Sequence, residues 1–135
     1  MSYSLLAIEG IGPHYARRLA EAGLRTTEDL LEAAARPKGR AALAAKTGIS
    51  EALILKWANR ADLMRVKGIG EELADLLEVA GVDTVPELKR RRPDALAAAL
   101  KAANEKRNLV RRVPGEAQCA RLIEAAKALP RRLSY

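Results

Sequence analysis

Two short glycine turns carry the residue types in this sequence that could do chemistry. Residues 8–12 read Ile-Glu-Gly-Ile-Gly, here called the first glycine turn, and residues 66–70 read Val-Lys-Gly-Ile-Gly, the second glycine turn. Each turn stands just before a segment in which alanine and leucine recur at helical spacing. Backbone N–H groups at a helix N-terminus have no partner inside the helix and point outward. The backbone N–H groups at these turns can therefore donate hydrogen bonds to a ligand.

No set of side chains suited to catalysis accompanies these turns. His14 is the only histidine and Cys119 the only cysteine, so an intrachain disulfide and a cysteine-based zinc site are excluded. The acidic residues between positions 71 and 78 follow helical spacing and lack the other ligands of a metal site. We therefore expect no enzyme activity, and no cofactor, metal or small-molecule substrate.

Both turns belong to an internal repeat in which equivalent residues lie 58 positions apart. In each copy the turn leads into a helix, Gly23 or Gly81 ends that helix, and Thr26 or Thr84 caps the next one. Proline and glycine punctuation places the remaining boundaries. The predicted helices are Pro13 to about Ala22, Thr26 to about Ala35, Pro37 to Lys46, Glu51 to Leu63, Glu71 to Ala80, a short helix after Thr84, Pro93 to about Asn104, and Glu116 to Leu129.

A looser match extends the repeat, because residues 57–66 align with residues 124–133 at an offset of 67. This alignment implies about nine extra residues near positions 105–113 of the second copy. The pattern predicts an all-α fold made of two units, residues 1–63 and 64–135, that share a core in one compact helical domain.

Composition and charge limit the partners that the protein could have. No run of apolar residues is long enough to span a membrane and no signal peptide is evident, so we expect a cytoplasmic protein. The net charge is +7, and it is uneven: residues 64–88 carry −4, whereas residues 89–135 carry +9. A basic surplus of this size suits an acidic partner such as nucleic acid, although solubility alone also explains it.

The two glycine turns and the helices after them resemble the helix-hairpin-helix motif. The shared pattern is apolar-x-Gly-Ile-Gly followed by Ala16 and Leu19 in the first copy, and by Ala74 and Leu77 in the second. Nearly the whole chain, from the first turn to the Arg-Arg-Val-Pro segment at residues 111–114, is similar to a bacterial family of tandem helix-hairpin-helix proteins catalogued as a domain of unknown function. The resemblance implies the fold more strongly than the function.

In members of that motif class that bind nucleic acid, the hairpin amides hold a backbone phosphate and nearby cations add charge. Carried over, this implies phosphate contacts at the first turn by the Gly10 and Gly12 amides. The full set of expected nucleic-acid-binding residues is Gly10, Ile11, Gly12, His14, Arg17, Arg18, Lys67, Gly68, Gly70, Arg90, Arg91, Arg111 and Arg112. The second copy departs from the pattern, because Glu71, Glu72 and Asp75 replace Pro13, His14 and Arg17.

Two functions follow from these observations. The first is a non-catalytic protein that binds nucleic acid, DNA more than RNA, through sequence-independent phosphate contacts. The second is a protein–protein adaptor or a self-associating scaffold. Simpler interpretations also stay open. Either turn can be a plain helix connector, and residues 89–92 can serve as helix termination. Residues 89–92 can alternatively form a phosphate patch with Lys106, Arg107, Arg111, Arg112, Arg131 and Arg132. Trp57 and Cys119 are expected in the core.

Overall fold

The computed structural model describes residues 2–135, and this part of the chain contains helices and no strand. The all-α prediction is confirmed. A 3-10 helix covers Leu5–Ala7 and eight α-helices follow: α1 (Pro13–Glu21), α2 (Thr27–Ala33), α3 (Pro37–Thr47), α4 (Glu51–Leu63), α5 (Glu71–Val79), α6 (Val85–Arg90), α7 (Pro93–Arg107) and α8 (Glu116–Ala128).

The chain divides into two compact units. Unit 1 contains Met1–Arg65 together with Arg131–Tyr135, and unit 2 contains Val66–Pro130. The sequence placed the boundary after residue 63 and assigned everything beyond it to the second unit. The structure instead returns the last five residues, here called the tail, to unit 1. The shared core expected from the sequence stays a prediction.

The backbone reproduces the internal repeat at its first two helices. α1 and α5 each have nine residues and begin 58 positions apart. Gly10 and Gly68 have φ angles of +95° and +99°, in the left-handed region that glycine enters without a steric penalty. Gly23 and Gly81 also have positive φ just after α1 and α5, as expected for glycines that end helices.

The last helix of each unit corrects the looser part of the sequence alignment. α4 and α8 each have 13 residues and begin 65 positions apart, rather than 67. The buried faces match at that offset: Ile54, Trp57, Ala58 and Ala61 correspond to Cys119, Leu122, Ile123 and Ala126. The buried face of each helix therefore gives an offset of 65 between the two copies. The offset of 67 came from an alignment that ran past the ends of both helices. The second copy thus has seven extra residues.

Part of this insertion lies in α7, which ends at Arg107 rather than near Asn104. Asn108 takes the left-handed conformation that ends the helix, with φ 48°. The Asn104 side chain turns back to the following loop instead, where it accepts hydrogen bonds from the Leu109 and Val110 amides at 2.8 and 3.0 Å. A side chain that bonds the main chain in this way fixes the loop between α7 and α8.

The tail is held in unit 1 by both apolar and polar contacts. Leu133 is buried, and the Arg132 guanidinium donates two hydrogen bonds to the Glu28 carboxylate, at 2.6 and 3.2 Å. The buried Arg40 side chain donates to the Ser134 carbonyl at 2.8 Å, and the Ser134 amide donates to the Ala35 carbonyl at 2.8 Å. These bonds satisfy polar groups that would otherwise be costly to bury.

None of the helices in residues 2–135 combines the length and the apolar character that crossing a bilayer requires. Within the same residues, no group of three or more histidine, cysteine, aspartate or glutamate side chains converges in a way that could hold a metal ion.

The two glycines of the first turn are expected to respond differently to alanine. Gly10→Ala should lower the free energy of unfolding by about 1–3 kcal/mol, because its φ is positive and the new methyl group would lie 3.3 Å from the Trp57 Nε1 atom. Gly12→Ala should cost less than about 1 kcal/mol, since Gly12 has an ordinary φ and open space around it. Urea unfolding measures both, and equal losses would contradict this assignment.

The ion pair between Glu28 and Arg132 predicts a pH dependence. The hydrogen bond from Arg132 holds the pKa of the Glu28 carboxyl below its ordinary value. A depressed carboxyl pKa contributes stability above the unfolded value near 4.3 and loses it as the pH falls through the folded value. Because the carboxylate is half exposed, we expect Glu28→Gln to cost less than about 1 kcal/mol at pH 7.

That difference between wild type and Glu28→Gln should shrink as the pH falls below about 4.3. Unfolding curves at several pH values measure it, with Glu105→Gln as the control because Glu105 is an exposed carboxylate of unit 2. A difference that stays constant down to pH 2 would mean that the ion pair contributes nothing.

Candidate nucleic-acid interface

The first glycine turn is a rigid platform built from buried side chains. Ile8 and Ile11 are both almost fully buried and anchor the turn on either side of Gly10. The Ile11 amide donates to the Ile8 carbonyl at 3.1 Å, which closes the turn, and Gly12 then serves as the N-cap of α1. Ile11 was among the expected binding residues, but its amide and its side chain are both used inside the protein.

Two aromatic rings, those of Trp57 and Tyr15, support this turn from below. The indole of Trp57 lies directly under Gly10, and the ring of Tyr15 meets it edge-on with the centroids 5.1 Å apart. The His14 ring lies 5.6 Å from Tyr15. Trp57 is 2% exposed, which confirms that it belongs to the core. The Trp57 and Tyr15 rings pack beneath the turn rather than presenting a flat face to solvent, whereas the His14 ring is exposed.

The turn leaves main-chain donors without partners. Among the residues that the structure describes, the Gly10 and Gly12 amides form no hydrogen bond, and no side chain caps the N-terminus of α1. The first turn of α1 contains no acidic residue. The N-terminal end of a helix carries a partial positive charge, so these amides favour an anion.

The charged side chains around the turn are mostly cationic. His14 and Arg17 are exposed on α1 close to its N-terminus. Glu9, within the turn itself, is an exposed carboxylate that opposes them. Arg18 points elsewhere: its Nη1 atom lies 3.8 Å from the position that a Cβ would occupy at Gly48, beside the end of α3. The structure therefore brings His14 and Arg17 to the turn, but separates Arg18 from it.

The second glycine turn has the same backbone and a different surface. The Ile69 amide donates to the Val66 carbonyl at 3.0 Å, and a methyl group at Gly68 would lie 3.1 Å from the Leu122 side chain. Gly70 is the N-cap of α5, whose first turn carries the exposed Glu71 and Glu72. These carboxylates interact favourably with the partial positive charge at the N-terminus of α5, and they would repel an incoming phosphate.

Comparison with known families assigns the chain to one of them. The family described as "Domain of unknown function (DUF4332)" matches residues 9–129. The chain belongs to this family. No curated protein and no solved structure matches it. The matched segment contains the first turn from Glu9 onward, the whole of the second turn and all eight α-helices.

The remaining basic residues of this DUF4332 chain differ in how much of their charge is available. Arg90 is exposed at the end of α6, and Arg111 and Arg112 are exposed in the loop between α7 and α8. Arg91, in contrast, is half-buried and donates to the Gly81 carbonyl at 3.1 Å, just beyond the end of α5. Arg132, which was expected in a basic patch, forms an ion pair with Glu28.

Asp83, Glu87 and Cys119 of unit 2 have shifted pKa values, each with a local cause. The Asp83 carboxyl has a raised pKa because it shares a hydrogen bond with Glu87, while the same bond lowers the pKa of Glu87. Burial raises the pKa of the Cys119 thiol, whose sulfur lies 3.9 Å from the Pro114 carbonyl oxygen. A protonated, buried thiol is a weak nucleophile, and Cys119 lies in the core as expected.

Proposed function

We propose that this DUF4332 protein is a non-catalytic helix-hairpin-helix protein of the cytoplasm that binds nucleic acid, DNA rather than RNA, through sequence-independent phosphate contacts. One observation carries the proposal: the unpaired amides of Gly10 and Gly12 lie at an uncapped helix N-terminus beside the exposed Arg17 and His14. Main-chain donors and a nearby guanidinium are the groups that bind phosphate without reading a base.

The helix-hairpin-helix part of the proposal is supported by the two turns. Each one joins a preceding helix to a following helix: Leu5–Ala7 precedes the first turn, and α4 precedes the second. Both turns use a left-handed glycine, an amide bonded back across the turn and a glycine N-cap. A shared backbone with different rims fits one turn that binds phosphate and one that connects helices.

The preference for duplex DNA is supported by the state of the aromatic residues. Proteins that hold single strands stack bases on exposed rings. In residues 2–135, Trp57 is buried, and Tyr3 and Tyr15 are half-buried. Tyr135 is the exposed tyrosine, at 54%, and its hydroxyl donates to the Asn59 side chain at 2.6 Å. A DNA duplex exposes its phosphates to the first turn, and binding them requires no stacking of bases on aromatic rings.

The adaptor or scaffold function has narrower support. Two apolar residues of α5, Leu76 and Val79, stand at the positions where α1 has Arg18 and Glu21. Of these two, Leu76 is fully buried and only Val79 is exposed, at 39%. A single exposed valine is ordinary for a protein surface. Leu6, 56% exposed before the first turn, and Tyr135, 54% exposed in the tail, are further large apolar side chains that this alternative can use.

Charge reversal at the two turns tests where binding occurs. Arg17→Glu and Lys67→Glu change the net charge equally, and both side chains are exposed. We expect Arg17→Glu to weaken duplex DNA binding by roughly tenfold, because the new carboxylate would repel the phosphate at the first turn. Lys67→Glu should weaken binding by less than about threefold. Fluorescence anisotropy with a labelled duplex measures both.

Thermal unfolding of the two variants serves as the control, since neither side chain has a buried contact to lose. Equal losses of affinity in Arg17→Glu and Lys67→Glu would show that overall charge, and not the first turn, directs binding.

Salt dependence tests the kind of contact. If about four to six phosphates are neutralised, the logarithm of the affinity should fall with the logarithm of the salt concentration at a slope of roughly −4 to −5. Duplexes of unrelated sequence should give the same slope and affinity, because phosphate contacts carry no base information. Absence of binding at low salt would instead favour the scaffold function, which sedimentation at several protein concentrations can then examine.

A further inference from the structure

A second cluster of cations lies in unit 1, between the ends of α1 and α3. A cavity of about 270 Å³ is lined there by Arg18, Glu21, Ala22, Lys46 and Thr47. Two of these side chains are cations and one is a carboxylate. The sequence places Arg18 near the first glycine turn, and Lys46 lies 28 positions further along the chain without any motif that joins the two.

The cations of this cavity have hydrogen-bonding capacity to spare. Within the described residues, neither the half-buried Arg18 nor the exposed Lys46 forms a hydrogen bond or an ion pair. The contrast with Arg91 is informative, because that side chain does donate to a carbonyl just beyond the end of a helix. A half-buried guanidinium without a protein partner can donate charge-assisted hydrogen bonds to an anion.

The cavity is too far from the first glycine turn to share a phosphate with it. Gly12 and Arg18 are six residues apart, and α1 is a regular helix, so they are separated by a rise of about 9 Å. Successive phosphates of one DNA strand advance by about 3.4 Å along the duplex axis. A strand that follows α1 would therefore place a different, nearby phosphate of the same strand at the cavity.

We infer that Arg18 and Lys46 form a second phosphate-binding site, which receives the same nucleic-acid strand that the first glycine turn holds. This inference rests on the proposed function. It gives unit 1 two points of contact along one strand, and so a fixed direction on the duplex. Glu21 at the rim limits the site to one phosphate, because its carboxylate offsets part of the positive charge.

The second copy of the repeat lacks this site and shows that the position does not require a cation. The residue equivalent to Arg18 is Leu76, which is fully buried in unit 2. An arginine here is thus not needed for the repeat to fold. Cations near helix C-termini also favour the helix dipole, and that role predicts a loss of stability, not of binding, when they are removed.

Paired variants separate these roles. We expect Lys46→Ala and Arg18→Leu, which uses the residue of the second copy, each to weaken duplex binding about fivefold and to make the salt slope less steep by about one. Lys38→Ala is the matched control, because Lys38 is an exposed cation at the other end of α3. It should change affinity by less than about twofold. Thermal unfolding of each variant, with Arg18→Gln as a second substitution, shows that the fold is retained.

A titration with inorganic phosphate, followed by NMR of the Arg18 side-chain N–H groups, distinguishes failure of the site from failure of the proposed function. Shifts at Arg18 that disappear in Lys46→Ala support the site. Duplex binding that Lys46→Ala and Lys38→Ala weaken equally overturns the site and leaves the proposed function standing. If the duplex does not bind but phosphate shifts Arg18, the proposed function fails and an anion site remains. If neither ligand binds, both are overturned.

Discussion

The contact between a left-handed glycine and the last helix of its own unit is the constraint on which the rest of each unit depends. Gly10 lies against Trp57 of α4, and Gly68 lies against Leu122 of α8. A side chain at either glycine would strain the backbone and would push the neighbouring side chain of the packed helix by a few tenths of an ångström. The close approach fixes the direction of α1 and α5, and with it the direction in which the free amides point.

The same backbone has been given two surfaces. The rim of the first turn carries His14 and Arg17, whereas the second carries Glu71 and Glu72. Carboxylates at a helix N-terminus complete that helix electrostatically, while cations leave its partial charge available to an outside anion. The repeat therefore explains the fold of both units, and the side chains on the rims explain why we assign a ligand to only one of them.

Several charged residues contribute to structure rather than to a surface field. Arg40 donates to two carbonyls from a buried position, Asp62 is paired with Arg65 at 2.7 Å, and Arg132 holds Glu28. Arg91 donates to the Gly81 carbonyl just beyond the end of α5. Because such groups have their partners inside the protein, the net charge of the chain overstates the cations that remain for a partner.

The helices, the two glycine turns and the register of α1 with α5 follow from the amino-acid sequence, because they depend on signals a few residues apart. Pro13, Gly23 and the capping box of Thr26 with Asp29 act locally, and all three have the expected roles. The exposed His14 and Arg17 also follow from helical spacing alone.

Which charged side chains have partners inside the protein, and which remain available to a ligand, depends on the tertiary structure. The offset of α8 and the return of the tail to unit 1 depend on burial of residues such as Leu133, which has no local signal. The pairing of Arg132 joins residues 104 positions apart. The turn of Arg18 toward Gly48 likewise depends on how α1 packs beside the end of α3. Contacts between distant segments are chosen by packing of the whole unit, so a local pattern cannot specify them.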